Sequence, residues 1–469
     1  MKFRLALLVA PSLVACTEAT VSQDCASVRP QEVVGCHLQN VRQQPLDYTL
    51  QVRESQPGYV FQRYRMTSQD WAPAPVVAPR QWEHDVELYI PDGALPNNAL
   101  LVVNNGVRYG TPQSPDYSPE ALRAIALQTR TVVAMITDAP NQEITFSDVE
   151  KPLREDYAVA HTWATWLRGE EAAPELPLHV PMAAVASRAM DVLQQEMGIE
   201  RFVISGASKR GWSAWLTAMA DDRIIAIVPA VIDVADTSEM LVGLRKRYGG
   251  SWPLALVSYQ EAGVLQQLGS AGFDRLMAMM DPMQYLDEPG QRLAIPKYLI
   301  SASGDDFFAP DPVTDYLQRM PGQASVRVLP NSNHGGVRAH VVSTLVPLIA
   351  RVQNDQPLPT VKISSAGQRG RVEVRLSEMP VAVKLWTAAN QDDRDFRYAC
   401  GIRYEPETLP ASQAFALDWT PPQAGWQARF IEAVFADGFT ATSPVSVMPE
   451  TFPAGPPKDK GGACKSFPS

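Results

Sequence analysis

The fold is decided by one stretch of the sequence, RFVISGASKRGW at residues 201–212. The apolar run at its start predicts a buried strand, and the residues after Ser208 predict a helix that begins where a tight turn ends. Gly206 and Gly211 leave room for the chain to reverse where a side chain would collide. The turn would then hold the Ser208 hydroxyl at the carboxyl edge of a sheet, as a nucleophile elbow does.

The same turn predicts an oxyanion hole, a pair of backbone N–H groups that stabilises the negative charge formed during acyl transfer. One donor would be the backbone N–H of Lys209, at the amino end of the helix that follows the serine. The second should come from the loop after the apolar strand that ends at Val103, and the candidates are Gly106 and Val107. The alternative is that this loop is only a turn.

An acid and a base follow two later strands. Asp305 and Asp306 come shortly after a buried strand, and His334 lies in a polar, glycine-containing turn after the next one. A carboxylate can hold a histidine in one tautomer, and that histidine can then activate a serine hydroxyl. The sequence therefore predicts a triad of Ser208, His334 and Asp305, with Asp306 as an alternative acid.

Other residues keep the assignment of the acid and the base open. Some hydrolases place the acid after the preceding strand, and the strand predicted at residues 224–231 is followed by Asp233 and Asp236. The nearest rival to His334 as the base is His340, which we expect in the next helix.

Residues 17–356 alternate apolar strands with helices, which predicts a parallel α/β sheet covered on both faces. Two segments, 141–177 and 236–292, interrupt this alternation, and we expect them to form a helical cap over the site. The alternative is that they only decorate the surface. The predicted strands are 82–91, 99–103, 131–136, 201–205, 224–231, 298–302 and 326–329, and the predicted helices include 119–128, 180–197 and 211–220.

The composition of the chain changes after Asn354. Residues 357–450 contain short alternating strands separated by proline and glycine turns, which predicts a small immunoglobulin-like β-sandwich. Residues 451–469 are rich in Pro, Gly and Lys, so we expect a flexible tail, except where Cys464 could fix it.

The overall composition excludes several classes of function. The chain has 469 residues and a net charge of −10, so nucleic acid is not an expected partner. None of the six histidines has the spacing of a metal site, and no phosphate-binding glycine loop is present, so neither a metal nor a cofactor is expected. No apolar run reaches the roughly 18 residues of a transmembrane helix.

The first 16 residues have the pattern of an export signal. Two basic residues precede an apolar run at residues 5–14, which is too short to span a bilayer. The run ends in LVAC, residues 13–16, which resembles the lipobox of bacterial lipoproteins and implies that Cys16 is lipidated. The residue after Cys16 is Thr17 and not Asp, so the outer membrane is the expected location. The lipid is expected to be the only contact of the protein with a membrane. An ordinary cleaved signal peptide is the alternative.

Four cysteines remain if Cys16 carries lipid, an even number that suits an oxidising compartment. They allow three pairings. The simplest joins the cysteines that are nearest in sequence, Cys25 with Cys36 and Cys400 with Cys464.

Three motifs carry a resemblance to a known family. They are GASKRGW at 206–212, VPAVID at 228–233 and ASGDDFFAPD at 302–311. Together they resemble the PhoPQ-activated pathogenicity-related protein family over roughly residues 40–450. That resemblance implies an α/β-hydrolase fold, in which Ser, Asp and His occur in this order along the chain. The family motif is Gly-Asp-Glu-Phe-Phe, so it matches the acid to Asp305 although the chain has Asp306 in place of Glu.

The elbow alone also resembles that of glucuronoyl esterases, which have a basic residue after the serine. The sequence therefore predicts an exported serine hydrolase that cleaves an ester or peptide bond of a small molecule, peptide or polymer through an acyl-enzyme. The alternative is a non-catalytic envelope lipoprotein that uses a degenerate hydrolase fold and the β-sandwich for binding.

Overall fold

A computed structural model describes residues 22–468 except 74, 97, 109, 170–172, 289–291 and 368–369. The predicted signal segment up to residue 21, with its lipidation site Cys16, lies outside the described residues.

The centre of the molecule is a large twisted sheet. Its strands and the short strands between them are β1 (Asp47–Gln56), β2 (Tyr59–Asp70), β3 (Val76–Ala78), β4 (Gln81–Pro91), β5 (Ala99–Val103), β6 (Val132–Ile136), β7 (Thr145–Phe146), β8 (Phe202–Ala207), β9 (Ile224–Ala230), β10 (Ser251–Pro253), β11 (Lys297–Ala302) and β12 (Ala324–Leu329). The spatial order is β1-β2-β4-β6-β5-β8-β9-β11-β12. Strands β6, β5, β8, β9, β11 and β12 run parallel to one another, whereas the pairs β1–β2, β2–β4 and β4–β6 are antiparallel. This arrangement, with helices on both faces, is an α/β-hydrolase fold.

Helices cover both faces of this sheet. They are α1 (Val33–Gln43), α2 (Pro119–Thr129), α3 (Glu155–Leu167), α4 (His179–Met197), α5 (Lys209–Ala220), α6 (Thr237–Arg247), α7 (Val257–Glu261), α8 (Ala271–Met280), α9 (Val313–Tyr316) and α10 (Val341–Gln353). Helices α1, α4 and α5 pack on one face, and α2 and α10 on the other, each around its own apolar core. Within the described part of the chain, no helix has the length and apolar composition needed to cross a bilayer.

Local sequence signals set the ends of these helices. Pro119 occupies the first position of α2, and the Ser118 hydroxyl accepts a hydrogen bond from the backbone N–H of Ala121. Helix α4 ends at Gly198, which adopts the left-handed conformation with φ of 68°. Both predicted helices are confirmed to within one residue at each end.

The C-terminal strands form two layers. They are β13 (Val361–Ser365), β14 (Arg371–Leu376), β15 (Ala382–Asn390), β16 (Glu405–Leu409), β17 (Ala414–Asp418), β18 (Trp426–Val434), β19 (Thr440–Thr442), β20 (Ser446–Met448) and β21 (Ser466–Pro468). Strands β13, β14 and β17 form one sheet. The other strands up to β20 extend the central sheet, because β19 pairs with β12 at Thr442 and Val326. The region predicted as a β-sandwich is thus continuous with the α/β core.

The expectation of a flexible tail over 451–469 differs from the structure. Strand β21 pairs with β10, which lies inside the 236–292 segment. The Arg397 guanidinium donates hydrogen bonds to the backbone carbonyls of Ala463, Cys464 and Lys465. A composition rich in Pro and Gly does not exclude order where neighbouring elements supply hydrogen-bond partners.

Two disulfides close segments of the chain. Cys25 is bonded to Cys36, and Cys400 to Cys464. The first joins a short helical turn to α1, and the second joins the β15–β16 connection to the tail.

The second disulfide should contribute more stability than the first. In the chain-entropy model the Cys400–Cys464 loop, with a separation of 64 residues, gives about 4 kcal/mol, and the 11-residue loop gives about 3 kcal/mol. We expect Cys400→Ser/Cys464→Ser to lower the guanidinium unfolding midpoint more than Cys25→Ser/Cys36→Ser. Non-reducing peptide mapping of the wild type serves as the control, and free thiols or crossed pairs in it would contradict the connectivity.

Candidate active site

The parallel strands bring the three predicted residues to one edge of the sheet. Ser208 directly follows β8, Asp305 lies three residues after β11, and His334 lies five residues after β12. Because these strands are parallel, their carboxyl ends meet at the same edge.

Ser208 occupies a strained turn. Its backbone has φ of 56° and ψ of −131°, a region that side-chain-bearing residues rarely adopt. A Cβ atom added to Gly206 would lie 2.5 Å from the carbonyl oxygen of Arg210, and one added to Gly211 would lie 2.7 Å from Cγ2 of Ile232. The turn therefore needs both glycines, and it has the geometry of a nucleophile elbow.

The His334 imidazole is held by Asp305. Its Nδ1 lies 3.0 Å from each carboxylate oxygen, which fixes the tautomer with the proton on Nδ1 and leaves Nε2 as an acceptor. The backbone N–H groups of Phe307 and Phe308 donate to Oδ1 of Asp305 and orient the carboxylate. Burial disfavours the charged imidazole, but the Asp305 charge and hydrogen bond outweigh it and raise the pKa of His334 above its usual value.

Ser208 and His334 line the same open cleft, of about 390 Å³. Among the described residues no hydrogen bond to the Ser208 hydroxyl occurs, so the serine and the imidazole share the cleft without a hydrogen bond between them. In free hydrolases this contact is often long and tightens when a substrate binds.

The two basic residues after the serine are buried and paired. Lys209 Nζ lies 2.7 Å from Glu155 and 3.2 Å from Asp156, both on α3. Arg210 forms a bidentate pair with Glu155 at 2.7 and 2.8 Å and donates to the carbonyl of Ala139. Although burial opposes the charged carboxylate, Arg210 and Lys209 hold the pKa of Glu155 well below its usual value. Both cations are therefore neutralised by carboxylates of α3.

The amino end of α5 supplies the expected backbone N–H of Lys209. The described residues of the β5–α2 loop that line the cleft with it are Asn105, Gln113, Ser114 and Asp116, and neither Gly106 nor Val107 is among them. Gly106 lies against other residues: a Cβ atom added to it would lie 2.5 Å from Oδ1 of Asp138, and its carbonyl accepts a hydrogen bond from Gln142. Sequence reasoning missed Asn105 because the glycine beside it was the more obvious turn residue.

The alternative acids occupy other surroundings. Asp233 is buried near Tyr316, and burial raises its pKa to about 7. Asp236 forms an ion pair with Arg319 at 2.6 Å. Asp306 is next to His334 in space, but its Oδ1 has no hydrogen-bond partner within the described residues, and burial raises its pKa.

The rival base lacks an acid partner. No carboxylate lies within ion-pair distance of the His340 ring in the described chain, and burial and Arg327 lower the pKa of His340. Among the sequence candidates, the structure therefore brings together Ser208, Asp305 and His334.

The segments predicted as a cap meet over the elbow. A second cavity of about 60 Å³ lies beneath them, behind Ser208. Its walls come from α3, α4, α6 and α7, and include Trp163, His179, Leu241, Leu244 and Tyr259. Tyr259 on α7 donates to Asp156 on α3 at 3.2 Å and so links the two cap segments.

One cluster has the composition of a metal site. Asp395, Cys400 and Cys464 lie close together and are buried. Both sulfurs are in the disulfide and Asp395 pairs with Arg397 at 2.6 Å, so these atoms cannot act as thiolate or free carboxylate ligands.

Comparisons with known proteins extend these observations. Residues 34–397 match the model of the family described as PhoPQ-activated pathogenicity-related protein. The chain is 30% identical to autocrine proliferation repressor protein A of Dictyostelium discoideum over 442 residues, which cover 86% of this chain and 87% of that protein.

Solved structures with a similar fold include two acetyl xylan esterases. The enzyme from Thermoanaerobacterium is 12% identical in sequence, with a TM-score of 0.44. The match covers 65% of this chain and 88% of the chain of that enzyme. The enzyme from Paenibacillus is 13% identical in sequence, with a TM-score of 0.45. The match covers 66% of this chain and 90% of the chain of that enzyme.

The family match covers well over half of the chain, including the elbow, Asp305 and His334. It confirms the resemblance carried by the three motifs. The chain belongs to the PhoPQ-activated pathogenicity-related protein family.

Proposed function

We propose that the protein is a serine hydrolase that cleaves an ester or peptide bond through an acyl-enzyme on Ser208. The observation that carries this proposal is the His334–Asp305 pair, at 3.0 Å, in the cleft that also contains Ser208 on its strained turn. A structural histidine would not need a buried carboxylate that is itself oriented by two backbone N–H groups.

The reaction proceeds in two steps. The Ser208 hydroxyl attacks the carbonyl carbon while Nε2 of His334 takes its proton, and the proton then passes to the leaving alcohol or amine as the C–O or C–N bond breaks. Water repeats the sequence to release the acid and free Ser208. The N–H of Lys209 and a second donor from the β5–α2 loop stabilise the oxyanion, and Asp305 stabilises the imidazolium.

We further propose that the chain is exported and anchored by lipid at Cys16. The lipobox-like tetrad at residues 13–16 and the two disulfides support this, because disulfides persist in oxidising compartments. The proposed domains are the signal segment 1–16, the hydrolase domain 17–356 with caps near 141–177 and 236–292, and the β-rich region 357–450 with the tail 451–469.

The second candidate is a non-catalytic binding protein that keeps the hydrolase fold. The relative from Dictyostelium discoideum is named as an autocrine repressor of proliferation. The lack of a hydrogen bond between the Ser208 hydroxyl and any described residue is compatible with this alternative as well.

A fluorophosphonate probe separates the two candidates. If Ser208 is the activated nucleophile, the probe labels this residue of the folded wild type, and Ser208→Ala and His334→Ala abolish the labelling. His340→Gln is the matched control and should label normally. A folded wild type that does not react, and that does not hydrolyse short aryl esters, would establish the binding-protein candidate.

The acid is tested by paired substitutions. Asp305→Asn should lower kcat by roughly four orders of magnitude, because the histidine would lose its tautomer and its counter-charge. Asp233→Asn should have little effect, since Asp233 contacts Tyr316 and not the histidine. If Asp233→Asn caused the larger loss of kcat, the acid would follow β9 and not β11.

The raised pKa of His334 predicts the pH dependence. The base acts only when neutral, so kcat/KM should fall as the pH decreases through a midpoint above 6.5. The contribution of His334 to the stability of the fold changes with pH in the opposite direction. A histidine with a raised pKa stabilises the fold below its unfolded pKa, and this contribution is lost as the pH rises through the folded pKa.

The measurement is the pH profile of kcat/KM for the wild type, Asp305→Asn and the control His340→Gln. The residual activity of Asp305→Asn should have a lower midpoint, and the control should match the wild type. A wild-type midpoint well below 6.5 would contradict the role of the Asp305 charge.

A further inference from the structure

Two cavities meet at Ser208, and their walls differ. The open cleft contains His334, Asp116 and Arg338, whereas the enclosed pocket behind the serine is lined mainly by apolar side chains of the cap. The histidine must protonate the leaving group, so the leaving group lies on the side of His334. Since the lining of the enclosed pocket includes Ser208 but not His334, the acyl half of the substrate occupies that pocket.

Three buried polar atoms of side chains that line this apolar pocket have no hydrogen-bond partner among the described residues. They are Nε1 of Trp163 and both ring nitrogens of His179. The two side chains are 2% and 0% exposed, and their ring centroids are 5.8 Å apart. The neighbouring ring, Trp212, has its N–H satisfied by the carbonyl of Met280 at 2.8 Å.

Buried polar atoms in native proteins are nearly always paired, so two adjacent unpaired rings need an explanation. The indole N–H can only donate, and a neutral imidazole offers one donor and one acceptor. A ligand oxygen that reaches these rings would accept from Trp163, and a hydroxyl could also donate to His179.

The pocket does not suit a charged group. Lys209 and Asp156 both line it, but they pair with each other at 3.2 Å. Burial, together with Lys209 and Arg210, lowers the pKa of His179 to about 3, so its ring is neutral at physiological pH. A carboxylate or ammonium in this pocket would be left without a partner.

The size of the pocket limits the acyl group. Its volume of about 60 Å³ holds roughly four to six waters, which corresponds to a short chain or a single aromatic ring. The rings of Trp163, Trp212, Tyr259 and Phe307 on its walls favour an aromatic or other flat apolar group.

We infer that this pocket selects an uncharged, largely apolar acyl group whose far end carries an oxygen atom that hydrogen-bonds to Trp163 and His179. The inference rests on the proposed function, because it assigns the acyl side of an acyl-enzyme reaction. Trp163 and His179 are then specificity residues and take no part in proton transfer.

The test compares two substrates that differ by one hydroxyl, the methyl esters of 3-phenylpropanoate and 3-(4-hydroxyphenyl)propanoate. The wild type should favour the hydroxylated ester by about tenfold in kcat/KM, because the other leaves the buried rings unpaired. His179→Phe and Trp163→Phe keep an aromatic ring and remove the polar atoms, so each should bring the ratio of the two kcat/KM values close to one.

Trp386→Phe is the matched control. Its indole N–H is also unpaired within the described residues, but Trp386 lies on β15, outside both cavities. This variant should keep both the activity and the substrate ratio of the wild type. Should His179→Phe not fold, as judged by circular dichroism, Trp163→Phe gives the same test.

The outcomes separate the inference from the proposed function. Equal kcat/KM for the two esters in the wild type, or a preference that survives in both variants, overturns the inference and leaves the serine mechanism intact. Hydrolysis of neither ester by a protein that still reacts with a fluorophosphonate also overturns it. A folded protein that neither reacts nor hydrolyses overturns the proposed function, and the inference with it.

Discussion

The site depends on the close approach of backbone to backbone at the end of β8. The carbonyl of Arg210 approaches so near to Gly206 that no Cβ atom fits between them, and Gly211 packs equally closely against Ile232. Only with both glycines can the chain reverse within five residues and place Ser208 in its strained conformation. The start of α5, the position of the Lys209 backbone N–H at its amino end and the position of Ser208 at the sheet edge all follow from this contact.

The same turn determines where the cap lies. It places Lys209 and Arg210 in the interior, where their charges must be compensated, and Glu155 and Asp156 on α3 compensate them. Removing one partner of a buried ion pair lowers the stability of a fold by several kcal/mol. These ion pairs therefore hold α3 over the elbow. The Tyr259 hydroxyl on α7 donates a hydrogen bond to Asp156. The wall of the enclosed pocket is therefore linked, through α3, to the residues next to Ser208.

Much of this architecture could be predicted from the sequence. Continuous apolar runs mark the parallel strands, because both faces of the sheet are covered, and the glycines around Ser208 mark the elbow. Asp305 and His334 could be chosen because the carboxyl ends of parallel strands share an edge.

The remaining features depend on contacts between distant residues. Nothing local to Lys209 shows that Glu155, 54 residues away, neutralises it. In the same way, the extension of the central sheet by β19, the fixed tail and the position of Asn105 in the cleft come from pairing across the fold. Periodicity identifies an element, but it does not identify the partner of that element.

The central claim is that Ser208 becomes covalently acylated during turnover. The most direct measurement is rapid acid quenching of the protein with 4-nitrophenyl butyrate, followed by mass spectrometry of the peptide that contains residues 201–212. Because 4-nitrophenol is a good leaving group, deacylation is the slower step, and the account predicts a butyryl group on Ser208 and a burst of 4-nitrophenol equal to the protein concentration. Release of 4-nitrophenol at the enzymatic rate with no acyl group on that peptide at any quench time, or with the acyl group on another residue, would contradict it.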